Sequence, residues 1–170
     1  KVDVTGKDIE PKINLLGIIG LSEEKFFNRE ALAKDLENLT DYYTSRGYAF
    51  AEVGPSISKD DNHQVINVVY QIKKGELVDF GRIEITGNTK TRDKVIRRQL
   101  RVIEGARYSK AELERRVRNL RRLDFFEEME MDTRKGKTAD KMDIEVQVKE
   151  KPTRHISAGA GYSSADELFF

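Results

Sequence analysis

The chain repeats itself, and this limits its possible folds more than any other property of the sequence. "VDVTG" at residues 2–6 is answered by "IEITG" at 83–87, an offset of 81. "SRGYAF" at 45–50 is answered by "RLDFFE" at 122–127, an offset of 77, and "INVVYQIKK" at 66–74 by "MDIEVQVKE" at 142–150, an offset of 76. The drift in offset reads as small insertions within a duplication whose unit is roughly 75–80 residues. One fold must therefore be made twice, and each copy is long enough to close a small core.

Periodicity inside each copy reads strand, helix, helix, strand, strand. In the second copy Ile83 and Ile85 alternate as the first strand. Thr91 is placed to cap a helix with Val95, Ile96, Leu100 and Ile103 inward, ended by Gly105. Ser109 and Glu112 make a capping box for a second helix with Leu113, Val117, Leu120 and Leu123 on one face. Phe125 and Phe126 open a strand, a loop around Gly136 turns it, and Met142, Ile144, Val146 and Val148 alternate as the last strand.

The first copy follows the same plan. Val2 and Val4 start it, Pro11 precedes a helix carrying Ile13, Leu16 and Ile19, and Asn28 caps a longer helix with Leu32, Leu36, Leu39 and Tyr43 inward. Gly47 ends that helix, and strands follow at 49–57 and 64–73. The expected fold class is α+β: two tandem domains, 1–78 and 79–152, each β-α-α-β-β with a three-stranded mixed sheet covered on one face by two helices. The last strand of each copy has the stronger apolar pattern and belongs at the sheet centre, which leaves the second strand at an edge. Leu77, Val78 and Phe80 in the connecting "KKGELVDFG" predict a packed hinge.

A net charge of +1 conceals a segregation: residues 1–78 carry −3, residues 79–123 carry +8 and residues 124–170 carry −4. The positive charge sits on the second copy's helices, with Arg97, Arg98 and Arg101 on one and Arg115, Arg116, Arg118, Arg121 and Arg122 on the next. Such a face either stays solvated, pairing with Glu104, Glu112 and Glu114, or meets an anionic partner such as lipid head groups. It has no aromatic stacking platform and no recognised binding motif, so nucleic acid is not expected as a partner.

Other chemistry is sparse. With no cysteine, disulfides and thiolate chemistry are excluded. No run approaches the ~18 apolar residues of a membrane-spanning helix. A start at Lys1 and a finish on Phe169-Phe170 read as a piece of a longer chain. His63 and His155 lack metal-ligand spacing and read as surface or structural residues. "GKT" at 136–138 has Met131 where a phosphate loop needs glycine, and reads as a hairpin turn. No catalytic, cofactor-binding or metal-ligating set is expected, and no enzymatic activity. What remains is the backbone itself, because an edge strand accepts an extended guest whatever the guest's side chains, which suits a binder of many unfolded clients.

The stretches "GRIEITGNTKTRDKVIRRQL", "LRRLDFFEEMEMDT" and "MDIEVQVKEKPTRHISAGAGY", with "RGYAF" in the first copy, resemble the polypeptide-transport-associated (POTRA) repeats of the outer-membrane-protein assembly factors of Gram-negative bacteria. The resemblance covers nearly the whole chain and is most specific in the second copy. It implies that 1–78 and 79–152 are the penultimate and last POTRA domains, and that 153–170 begin the first strand of a membrane β-barrel. It also implies a non-enzymatic periplasmic scaffold that binds unfolded outer-membrane proteins by β-augmentation, docks accessory lipoproteins and guides clients to its own membrane barrel, with no cofactor.

The implied client edges are Ala49, Phe50, Ala51, Glu52 and Val53 in the first copy, and Phe126, Glu128, Met129 and Met131 in the second. Arg97, Arg98, Gln99, Arg101, Arg121 and Arg122 would face a lipoprotein or anionic lipid head groups, and Ile156, Ala158, Ala160 and Tyr162 would belong to the barrel seam. Two alternatives stay open: the POTRA region of a related two-partner secretion or autotransporter-assembly pore, and a basic nucleic-acid-binding module built on the +8 segment.

Overall fold

The computed structural model describes residues 1–24, 26–123 and 125–152. The expected barrel strand with Ile156, Ala158, Ala160 and Tyr162, and His155 beside it, lie outside the described residues. The first copy folds as β1 (Val2–Gly6), α1 (Lys12–Leu16), a 3-10 turn (Leu21–Glu23), α2 (Arg29–Thr44), β2 (Glu52–Asp60) and β3 (Val65–Lys73). The second folds as β4 (Asp79–Thr86), α3 (Asp93–Leu100), α4 (Lys110–Arg121), β5 (Phe126–Lys135) and β6 (Lys141–Glu150).

Each copy has a three-stranded sheet, ordered β1-β3-β2 and β4-β6-β5. The last strand of each copy lies at the centre, parallel to the first and antiparallel to the second, so both sheets are mixed. The alternation dictates this position. Val68, Tyr70 and Ile72 of β3, and Met142, Ile144, Val146 and Val148 of β6, are buried, and a strand with so much apolar surface must be covered along its length. A three-stranded sheet is marginal alone, and the helices supply the other half of each core. Leu15, Ile19, Leu32, Leu39 and Tyr43 close the first core, and Ile96, Leu100, Leu113, Val117 and Leu120 the second. Each such side chain contributes about 1.5–3 kcal/mol of burial before entropy is charged.

The caps expected at Asn28 and Ser109 form. The Asn28 side chain accepts from the amides of Glu30 (2.9 Å) and Ala31 (3.3 Å), and the Ser109 hydroxyl accepts from the amide of Glu112 (3.4 Å). The "TG" that closes the first strand of each copy has a steric purpose. A Cβ on Gly6 would overlap the Ile72 carbonyl oxygen, and one on Gly87 would overlap that of Val148, so each glycine lets its strand end flush against the central one.

Several expectations are corrected. Ile13 is 79% exposed while Leu15 is buried, because two helical positions set them about 200° apart and only one side of α1 meets the core; Ile19, also buried, lies beyond the end of α1. Ile103 is 71% exposed, because α3 ends at Leu100 and Arg101 turns the chain into the left-handed region at φ 49°. Thr91 does not cap α3: the capping position is Arg92, without a side-chain bond, and the Thr91 amide donates instead to Glu150 (2.6 Å). Strand β2 begins at Glu52, not Ala49. After Gly47 the chain makes a turn closed by the Ala51 amide on the Tyr48 carbonyl (3.0 Å), and Ala49 and Phe50 pack against the second core.

Glu150 ties the end of β6 to the β4–α3 loop. Its carboxylate accepts from the Thr89 hydroxyl (2.8 Å) and from the amides of Lys90 (2.8 Å) and Thr91 (2.6 Å). Bonds from Thr91, with those from Thr89 and Lys90, pull its pKa from 4.5 down to about 2. A depressed carboxylate stabilises the fold above its unfolded value and loses that contribution as the pH falls through the folded one. The clasp should therefore hold at neutral pH and fail between 4.5 and about 2. In an acid titration the Thr89, Lys90 and Thr91 amide resonances should move together with a midpoint well below 4.5, and the Glu150→Gln variant should lose that step; a midpoint at the ordinary glutamate value would refute the clasp.

Candidate functional site

Among the described residues the antiparallel outer strand of each copy, β2 or β5, has a sheet neighbour on one side only. Its other side presents main-chain donors and acceptors without ladder partners. On β5 their identity follows from the hairpin end. The Gly136 amide donates to the Lys141 carbonyl at 2.8 Å, so by the two-residue alternation Glu130, Asp132 and Arg134 turn their backbone toward β6. Met129, Met131, Thr133 and Lys135 turn theirs to the open edge. Arg121 at the end of α4 already donates to the Met129 carbonyl (2.9 Å), and it lines a shallow groove with Phe126, Glu127, Glu128, Met129 and Glu130.

On β2, Pro55 stands opposite Tyr70 within the antiparallel ladder. Proline has no N–H and is tolerated in an edge strand with its nitrogen turned away from the ladder, so the outward positions of β2 are Val53, Pro55, Ile57 and Lys59. Of the first-copy residues implied as a client edge, Glu52 and Val53 lie on this strand, while Ala49, Phe50 and Ala51 precede it.

The arginines divide into engaged and open sets. Arg97 donates from Nε to Asp93 (2.7 Å), from Nη1 to Glu104 (3.3 Å) and from Nη2 to the Ile83 carbonyl. Arg115 and Arg116 share Glu112 at 2.8 and 3.2 Å, which pulls that carboxyl below its usual range, Arg116 most strongly. Arg118 reaches Glu114 at 3.7 Å. Arg98, Gln99, Arg101 and Arg122 are exposed, and among the described residues no carboxylate pairs with these three cations.

One buried acid escapes a reading of the sequence. Asp35 on α2 is only 2% exposed, and accepts from the amides of Gly20 (2.7 Å) and Leu21 (3.0 Å) and from the Tyr70 hydroxyl (2.7 Å). Burial, then Asp35, pushes the Tyr70 hydroxyl pKa up. The available signal was an acid set into the stripe of Leu32, Leu36 and Leu39.

The joint between copies is packed as expected at Val78 and Phe80, whereas Leu77 is 41% exposed. Lys110 of α4 meets Asp41 of α2 at 2.6 Å, a bond that raises the lysine pKa. The Val78 amide donates to the Gly47 carbonyl (2.8 Å), and the Tyr108 amide to the Val78 carbonyl (3.0 Å). The Lys135 ammonium lies 4.9 Å from the Phe50 ring. Val78 and Phe80 of the connecting segment are buried in the second core.

His63 sits in the β2–β3 turn with Nδ1 2.8 Å from Asp60, exposed. Among the described residues no group of three His, Cys, Asp or Glu side chains is placed to hold a metal ion, and no helix is long and apolar enough to cross a membrane.

The duplicated unit is matched by a known family. The family model for POTRA, described as "Surface antigen variable number repeat", fits residues 1–75 and again residues 78–151. The chain belongs to the POTRA family. The chain is 33% identical over 168 residues to the outer membrane protein assembly factor BamA of Nitratidesulfovibrio vulgaris, a match covering 96% of this chain and 21% of that protein. The chain thus spans only a small part of the curated relatives it resembles. It superposes with a TM-score of 0.75 on the crystal structure of Haemophilus influenzae BamA POTRA3-5, at 24% identity over 88% of this chain and 59% of that one. It superposes with a TM-score of 0.73 on BamA from Haemophilus ducreyi lacking POTRA domains 1-3, at 25% identity over 87% of this chain and 28% of that one.

Proposed function

We propose that the chain is part of a non-enzymatic periplasmic scaffold of the outer-membrane β-barrel assembly machinery. Residues 1–78 and 79–152 act as adjacent POTRA domains, and 153–170 enter the first strand of the membrane barrel. The scaffold takes extended segments of unfolded outer-membrane proteins onto an open sheet edge and passes them to that barrel. Arg98, Gln99, Arg101 and Arg122 form the surface for accessory lipoproteins or anionic lipid head groups. One observation carries the reading: among the described residues each repeat leaves its antiparallel outer strand paired on one side only. Backbone pairing does not depend on the guest's sequence, and so suits clients that share alternation but not identity. The likeness to BamA proteins supports the same role.

A photo-crosslinking residue at Ile57 or Thr133 should capture an outer-membrane barrel protein kept unfolded, and should not capture the same protein once folded. Equal capture from a residue placed at Arg98, away from both edges, would remove the strand-pairing reading.

A further inference from the structure

We infer that the two open edges are unequal: the guest strand pairs with β5, and it is an extended segment that alternates apolar residues with lysine or arginine. This rests on the strand-pairing reading above and adds which edge is used and which chemistry is chosen.

The backbone selects the edge. A guest on β2 would meet Val53, Pro55, Ile57 and Lys59, and would find no donor at Pro55 in the middle of that run. A proline there is the usual device by which an edge is blunted against pairing. Strand β5 has no proline from Phe126 to Lys135. Its open run is bounded where Arg121 holds the Met129 carbonyl and where Lys135 meets the Phe50 ring, leaving Met131 and Thr133 between them.

The side chains beside that run select the guest. Toward the helices stand Phe126 and Met129, both buried, and Met131, half-buried, so an apolar guest residue on that side extends the second core. On the opposite face Glu128, Glu130 and Asp132 follow one another at two-residue spacing, all exposed. Lys149 answers Glu128 at 2.9 Å, but among the described residues no cation pairs with Glu130 or Asp132. A guest with lysine or arginine on that face gains cross-strand partners, whereas one with acids sets like charges opposite each other. The same row disfavours a second copy of the chain, whose β5 would bring identical carboxylates.

The test uses the 170-residue chain and synthetic peptides long enough to span β5: one alternating leucine and lysine, one alternating leucine and glutamate, and one of the first composition scrambled. Binding is read by anisotropy and located by amide shifts. The lysine peptide should bind about tenfold more tightly than the glutamate peptide, with shifts at Met131 and Thr133. The preference should invert in the double variant Glu130→Lys, Asp132→Lys, and Met131→Pro should abolish binding while leaving the spectrum of the first repeat unchanged. Shifts confined to Val53–Lys59 would overturn the choice of edge and leave strand pairing intact. Equal binding of the scrambled peptide would reduce the effect to charge and overturn the inference, as would β5 shifts that grow with protein concentration without peptide. Absence of binding by every alternating peptide at both edges would remove strand pairing itself.

Discussion

Replacing Asp35 with alanine should lower the stability of the first POTRA repeat by about 3 kcal/mol, enough to move its melting temperature down by roughly 10–20 °C. The reason is what the carboxylate leaves behind. Three donors converge on it: the amides of Gly20 and Leu21 at the start of the 3-10 turn, and the hydroxyl of Tyr70 on the central strand. Tyr70 is fully buried, so no water replaces the lost acceptor there. The Gly20 amide is only partly buried and recovers some of its loss from solvent, which keeps the total below three full desolvation penalties.

Asp35→Asn keeps one acceptor oxygen and should lose about half as much. Tyr70→Phe removes one donor, keeps the two amide bonds and should cost about 1 kcal/mol. Urea unfolding resolved by NMR, reading the two repeats separately, distinguishes these outcomes. An Asp35→Ala loss no larger than that of a surface substitution, about 0.5 kcal/mol, would show that the carboxylate only fills space.

That residue also marks the boundary of what the sequence makes legible. The central position of β6 could be read from Met142, Ile144, Val146 and Val148, because alternation is local and survives folding unchanged. The caps at Asn28 and Ser109 were equally local. The exposure of Ile13 is not legible, because "INLLGII" offers apolar residues on every side of a short helix, and only packing chooses Leu15 and Ile19. The place of Thr91 is hidden because its partner Glu150 lies 59 residues away, and that of Ile103 because α3 stops at a left-handed arginine where glycine would be the expected signal. The open edges followed from strand order, but which amides face outward, and hence the consequence of Pro55, needed the register of each hairpin.

Three glycines allow the steric and conformational parts of a backbone requirement to be separated. Gly105 has φ +86° and open space around it, so Gly105→Ala should lose only the cost of holding an L-residue in the left-handed region, about 1 kcal/mol. Gly6 is not in that region, but its Cβ would overlap the Ile72 carbonyl oxygen and the Ile9 side chain. Gly6→Ala therefore carries the overlap alone, about 2 kcal/mol, since the opposing atom is main chain of the central strand and cannot rotate away. Gly87 combines both conditions, φ +82° and overlap with the Val148 carbonyl oxygen. Gly87→Ala should lose about 3 kcal/mol, the sum of the other two, because a strained conformation and a rigid obstacle act on different degrees of freedom. Denaturant unfolding of each repeat gives the three values. A Gly87→Ala loss no greater than that of Gly105→Ala would mean that the β4 end can lift from β6 at little cost, and that flush contact with the central strand is not what the duplicated "TG" secures.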